Sequence, residues 1–331
     1  MSAADTVITP AVTLSLGSLG VFNYALYENR ISPVRGITAT NHTDRLVSGL
    51  SLKVSTDSGF FKDCLMDVPS LPVGKSTPLP DPYLIIEGQR LVEVTEAFTI
   101  NVSVELLDGD KAVFSVLGQM KILAYDQWMG DDWVHYLPAF CMPNHPIVTA
   151  LIHDASDVLK KWGKDCALEG YQTPDPDRIR DFAAAIYTAI QNKNIAYSNP
   201  PAGAGVCDVG QRIRTPESIM EQHLATCMDF TMLYASCLEA INLNPVLCLI
   251  KGHIFAGVWL TDKCFDDVCT LDNGVAIKAM ATGNETISFV ECTRMQAGST
   301  DSYQAAEYRQ DHPSFDKDQF EYLIDIRAAR R

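Results

Sequence analysis

A threonine, a cysteine and an aspartate stand together in Thr226-Cys227-Met228-Asp229, directly ahead of an apolar stretch with helical spacing. Phe230, Leu233, Cys237, Leu238 and Ile241 mark the stripe that such a helix would bury. Thr226 is a good N-cap, and Asp229 three residues later completes a capping-box pattern. Cys227 is then expected in the first turn. Unpaired amide groups and the positive end of the helix dipole favour a thiolate there. The same amides can hold the oxyanion of an acyl transfer. His253 opens an apolar run one strand later, and a neutral imidazole there could take the thiol proton and hand it to a leaving amine.

Two carboxylates compete to orient that imidazole. Glu291 lies in Phe289-Val290-Glu291-Cys292-Thr293, on a strand expected beside the histidine strand, and a carboxylate among such apolar neighbours needs a partner if buried. Asp272, in Leu271-Asp272-Asn273, falls in an expected loop. For a second oxyanion donor beside the Cys227 amide, the candidates are Gln211, Gln222 and His223, although His223 is also expected to pack or cap in the turn ahead of the helix. Singly, each residue has a plainer reading. A cysteine in a first helical turn is usually structural, and one histidine on a strand could be a hydrogen-bonded core residue. The other histidines show no ligand spacing. Cys264 and Cys269, with Asp266 and Asp267 between them, fit no paired zinc pattern. Neither a phosphate loop nor a dinucleotide fingerprint is present, so no metal or cofactor is expected.

The elements that must position these residues follow from periodicity. Ile147 to Leu159 recurs at helical spacing and ends near Gly163. A second helix begins after Pro174-Asp175-Pro176-Asp177 and buries Ile179, Phe182, Ala183, Ile186 and Ile190. Asn199 to Gly205 reads as a loop, and Thr215-Pro216-Glu217 opens a short helix. Pro245–Ile250, His253–Leu260 and Ile287–Thr293 read as strands. Asp262 to Gly283 reads as irregular, and Phe315 to Arg331 as helical. That last stretch ends in Ala328-Ala329-Arg330-Arg331 with no stop signal, as if a longer chain continued. Ahead of all this, Ala11 to about Tyr125 alternates with period two, as in Leu50-Ser51-Leu52-Lys53-Val54. Short alternating strands with no helical stretch predict a β-sandwich. The expected fold class is therefore α+β, with a sandwich over 1–128 and the chemistry-bearing domain over 129–331.

Composition sets outer limits. The chain has 331 residues, 47% of them apolar, enough for about two packed domains of roughly 100–200 residues each. A net charge of −15 argues against direct nucleic-acid binding, which needs a basic face. No apolar run has the length of a membrane span, and the first residues lack the pattern of a signal peptide. A cytoplasmic location is the expectation, with the ten cysteines reduced. Cys64, Cys141, Cys237, Cys248 and Cys292 lie in apolar runs as small hydrophobes.

Residues 147–296 resemble the transglutaminase-like (papain-type) cysteine protease superfamily. The resemblance rests on Thr226-Cys227-Met228-Asp229, on His253-Ile254-Phe255-Ala256-Gly257-Val258-Trp259, and on Glu291-Cys292-Thr293. It implies Cys227 as nucleophile, His253 as base and acid, and Glu291 as orienting acid. The chain departs from the pattern in having glutamate where aspartate is commoner and an insertion over Asp262–Gly283. A wider similarity takes in the Ig-like sandwich, Asp126-Gln127-Trp128-Met129-Gly130 and Leu137-Pro138-Ala139-Phe140-Cys141-Met142-Pro143-Asn144-His145-Pro146. It is to a bacterial family that carries these two modules ahead of helicase and nuclease-like domains. Peptide hydrolysis on a protein or peptide substrate is the implied activity, with further C-terminal domains as partners and a role in defence against foreign DNA. Glutamine cross-linking or deamidation would use the same site, and a non-catalytic interaction scaffold would leave it idle.

Overall fold

The computed structural model describes residues 11–28, 30–86, 88–199, 211–283 and 285–331. The protein is a mixed α+β structure with several sheets, forming two compact units, one up to Gln127 and one from Trp128 on. Among the described residues, no helix is long and apolar enough to cross a membrane.

The first unit is mostly antiparallel strand. One sheet places Thr38–Asn41 between Val12–Ser15 and Ser76–Pro78. A larger sheet runs in the order Val21–Phe22, Lys111–Ile122, Phe98–Asp108, Leu50–Thr56, Cys64–Asp67. Period-two patterning has its usual cause here. Leu50, Leu52 and Val54 are buried while Ser51 and Lys53 between them are less so, and Ile100, Val102, Val104 and Leu106 repeat the scheme. Asp108 and Lys111 close the longest hairpin around Gly109, whose φ of +58° a residue with a side chain would adopt only at a cost. The expectation of no helix fails at Tyr24–Glu28 and Gly88–Val92, single turns too short for a periodic signal.

The second unit is built on a five-stranded antiparallel sheet. Its order is Cys269–Thr270, Phe320–Asp325, Pro245–Ile250, His253–Trp259, Ile287–Val290. Each face of the sheet carries a core. Ala256 and Val258 join the helices Pro146–Lys161, Pro176–Gln191 and Cys227–Ala240 on one side. Phe255 and Trp259, with Val246, Cys248 and Phe289, pack on the other with Ala276, Met280 and Phe315. The Cys227 helix is buried on every side from Met228 to Leu238, as an almost wholly apolar helix must be.

Three sequence expectations are corrected here. Phe315–Arg331 is not a helix: Phe320–Asp325 is an interior strand of the sheet, followed by one helical turn at Ile326–Ala329. Its apolar run fits either period, and burial between two neighbouring strands decides the outcome. The third strand ends at Val290, and Cys292–Met295 is a 3-10 turn capped by the Glu291 side chain. Asp262–Gly283 contains the strand Cys269–Thr270 and the helix Asn273–Ala279. The expected loop over Asn199–Gly205 lies, from Pro200 on, outside the described residues. The described cysteines are all free thiols. Cys141, Cys237, Cys248 and Cys292 are buried, whereas Cys64 is only partly so.

Candidate active site

The start of the Cys227 helix is fixed by a closed set of hydrogen bonds. Thr226 Oγ1 accepts from the Asp229 amide at 3.2 Å, and Asp229 Oδ2 accepts from the Thr226 amide at 2.9 Å, which is the full capping box. Asp229 is fully buried and takes two further donors from Arg214: the amide at 2.7 Å and Nη1 at 2.8 Å. Arg214 in turn donates from Nε to Gln222 Oε1 at 3.1 Å. A buried aspartate needs such pairing, since burying an unpaired carboxylate is prohibitive. The result is that Cys227 occupies the first helical position, partly exposed, with its backbone held from behind.

His253 reaches the same place from the sheet. A two-residue turn, Lys251-Gly252, joins Pro245–Ile250 to His253–Trp259, with Ile250 opposite His253 and Gly252 at a φ of +72°. The His253 ring interacts with the Cys227 thiol. Its Nε2 is 2.7 Å from Glu291 Oε2, which leaves Nδ1 as the nitrogen to face sulfur. Glu291 follows the strand Ile287–Val290, whose register sets Val290 against Ala256. At Gly257, opposite Phe289, an added Cβ would stand 2.5 Å from the phenyl ring. A larger residue there would push the Glu291 strand off its register.

Glu291 is saturated with donors. Oε1 accepts from the Thr293 amide at 2.9 Å and from Thr293 Oγ1 at 2.7 Å. Oε2 accepts from the Tyr308 hydroxyl at 2.6 Å and from His253. Tyr308 is set by backbone pairing to the same strand, since its amide donates to Phe289 O at 2.8 Å and the Glu291 amide donates to Ala306 O at 2.9 Å. Its ring stacks on Phe255 with centroids 4.1 Å apart. Burial opposes charge on both members of the pair. For His253, the hydrogen bonds to Cys227 and Glu291 and their charges outweigh it and raise the pKa to about 10. For Glu291, the hydrogen bond and charge of His253, then Tyr308 and Thr293, outweigh it and lower the pKa to about 2. The arrangement is an imidazole held against a carboxylate, with the Cys227 sulfur as its other interaction partner.

Of the residues singled out from sequence, Cys227, His253 and Glu291 meet. Asp272 does not: it caps the helix Asn273–Ala279 through Gly274, beside a strand at the opposite edge of the sheet. Gln211 lies next to the nucleophile, its Nε2 donating to Thr226 Oγ1 at 3.3 Å. Gln222 is exposed and tied to Arg214. His223 is exposed in a left-handed conformation, φ 50°, capping the end of the helix Pro216–Gln222. Tyr308 and Tyr197 were not foreseen. Tyr197 interacts with Cys227 through its phenol. Neither carries a local signal, because pairing of distant segments delivers both. Among the described residues, no group of three or more His, Cys, Asp or Glu side chains could hold a metal ion. Family models, curated proteins and solved structures were compared with the chain, and none matches.

Proposed function

We propose that this protein performs cysteine-dependent acyl transfer on protein amides, with peptide hydrolysis as the reaction. One observation carries the reading: Cys227, His253 and Glu291 form one line of interacting side chains, with the sulfur at a helix start and the carboxylate hydrogen-bonded to one ring nitrogen of the histidine. Cys227 attacks the carbonyl carbon as a thiolate, and its proton resides on His253 Nδ1. The imidazolium then gives that proton to the leaving amine, and the acyl group stays on sulfur. A water, deprotonated by the same nitrogen, attacks the thioester, and collapse returns the thiol. Glu291 accepts no proton in this cycle. Four donors and a lowered pKa keep it an anion that fixes the ring and supports its charge.

We infer the finer architecture on the same grounds as the resemblance in sequence: an Ig-like sandwich followed by a transglutaminase-like domain. The mostly antiparallel sheets of the first unit and the helix-plus-antiparallel-sheet arrangement of the second support it.

An electrophilic thiol probe applied to wild type, Cys227→Ala and His253→Ala tests the activity. Cys227 should label far faster than the other cysteines, and His253→Ala should abolish the difference. Labelling at Cys227 that keeps pace only with the partly exposed Cys264 and Cys269 would remove the enzymatic reading.

A further inference from the structure

We propose that the hydroxyl of Tyr197 is the side-chain donor that stabilises the oxyanion formed when Cys227 attacks a carbonyl. The proposal rests on the acyl-transfer reading of Cys227 and adds a catalytic residue to it. Tyr197 belongs to the short strand Ala196–Tyr197, which runs parallel to Leu224–Ala225 with Tyr197 opposite Ala225. The ladder continues on both sides, with the Ala196 amide donating to His223 O and the Ser198 amide to Ala225 O, each at 2.9 Å. Leu224–Ala225 leads through the N-cap Thr226 into Cys227. The backbone that carries the hydroxyl is thereby tied to the backbone that carries the nucleophile.

The Tyr197 phenol interacts with the Cys227 thiol, and Tyr197 is 42% exposed, so a substrate can reach it. When sulfur attacks, its electron pair forms the C–S bond and the carbonyl π pair moves onto oxygen. That oxygen is one carbon away from sulfur. A donor on the substrate side of sulfur can therefore reach the oxyanion, at about 3 Å. Negative charge passes from sulfur to oxygen, and the hydrogen bond follows it without a large movement. Partial burial, and then the neighbouring Cys227 and Glu291, raise the Tyr197 pKa, so the phenol keeps the proton that it must donate. The donors expected from sequence are less well placed. Gln211 spends an amide hydrogen on Thr226 Oγ1, and Gln222 is held by Arg214.

Two reagents separate oxyanion stabilisation from effects on the thiol. p-Nitrophenyl acetate acylates sulfur through a tetrahedral oxyanion and expels p-nitrophenolate. Iodoacetamide alkylates sulfur by direct displacement of iodide at a saturated carbon, with no oxyanion. Rates at Cys227 are followed by mass spectrometry in wild type, Tyr197→Phe and Gln211→Ala. Tyr197→Phe should slow acylation by about 10²-fold and leave alkylation unchanged, and Gln211→Ala should slow acylation less. An equal fall with both reagents would mean that Tyr197 acts on the thiol and would overturn the proposal. Unchanged or faster acylation would overturn it too, the hydroxyl then being only a cover over the sulfur. If wild-type Cys227 is acylated no faster than the other thiols, the acyl-transfer reading fails and takes this one with it, and that result is visible without any variant.

Discussion

Asp229 and Glu291 are the two carboxylates that support the site, one behind the start of the Cys227 helix and one behind its histidine. Both are sheltered, and both are crowded with donors. Asp229 takes the Thr226 amide and two groups of Arg214. Glu291 takes Thr293 twice, Tyr308 and His253. What separates them is the charged partner. A guanidinium does not give up its proton in a protein, so Asp229–Arg214 has one state and can only hold a shape. An imidazole can give up its proton, so Glu291–His253 can hold a shape and also handle a proton. Asp325 marks a third case. Fully buried, it accepts from Trp259 Nε1 at 2.8 Å and from the amides of Phe265 and Ala328 at 2.9 Å, neutral donors that make it a pure fastening. The partner's chemistry, not the carboxylate's burial, divides structural from reactive.

The sharpest way to break this division is to remove Asp229. Asp229→Ala leaves the Arg214 guanidinium, itself mostly buried, without its countercharge and deletes the capping box. Unpairing a buried ion pair of this kind costs about 3–5 kcal/mol. The midpoint of urea unfolding should fall accordingly, and activity should fall with it because the helix start is lost. A cost below about 1 kcal/mol, the range of an exposed pair, would mean that the pair does not fix the nucleophile.

Glu291→Gln asks the opposite question. The amide keeps the size of the carboxylate and part of its hydrogen bonding but cannot support an imidazolium. Acylation at Cys227 should slow by about 10²–10³-fold, roughly 3–4 kcal/mol in the barrier, while the unfolding midpoint moves much less than in Asp229→Ala. Equal losses of stability in the two variants would erase the distinction drawn above.

Acidity gives a quieter test of the same pair. The folded pKa of His253 is raised from 6.5 to about 10, so its contribution to stability is complete below the unfolded value and fades as pH climbs toward 10. That of Glu291 is lowered from 4.5 to about 2, so its contribution is complete above 4.5 and fades as pH drops toward 2. Both are fully present between pH 4.5 and 6.5. The stability gap between wild type and a His253→Ala, Glu291→Gln double variant should be widest in that window and narrow on both sides. A gap that stays flat from acid to alkali would mean that the pair is not ionised as described.

Sequence reveals the two halves of this comparison unequally. The capping box is local, a contact between residues three apart, so Thr226 and Asp229 declare it before any fold is known. Arg214 does not, since it reaches Asp229 from a separate segment. His253 and Glu291 are legible as residue types on apolar strands, and the sheet order that makes them neighbours is consistent with consecutive strand pairing. Tyr308 and Tyr197 stay hidden because isolated backbone pairs between distant segments deliver them. The misreading of Phe320–Asp325 has a related cause. An interior strand covered on both sides loses its alternation and reads as a plain apolar run.

The smallest expected effect decides between the two carboxylates that sequence left in competition. Asp272 is exposed, and its side chain accepts from the Gly274 amide at 2.9 Å at the head of a seven-residue helix. Its strand Cys269–Thr270 lies at one edge of the sheet, and Ile287–Val290, which leads to Glu291, lies at the other, with three strands between them. Asp272→Ala should therefore cost about 1 kcal/mol, the value of an N-cap, and leave the acylation rate at Cys227 where it was. The same substitution at Glu291 should do the reverse, with a large loss of rate. A drop in rate at Asp272→Ala comparable to that at Glu291→Gln would mean that the far edge of the sheet reaches His253 after all, and the pairing of charge type with role would have to be redrawn around Asp272.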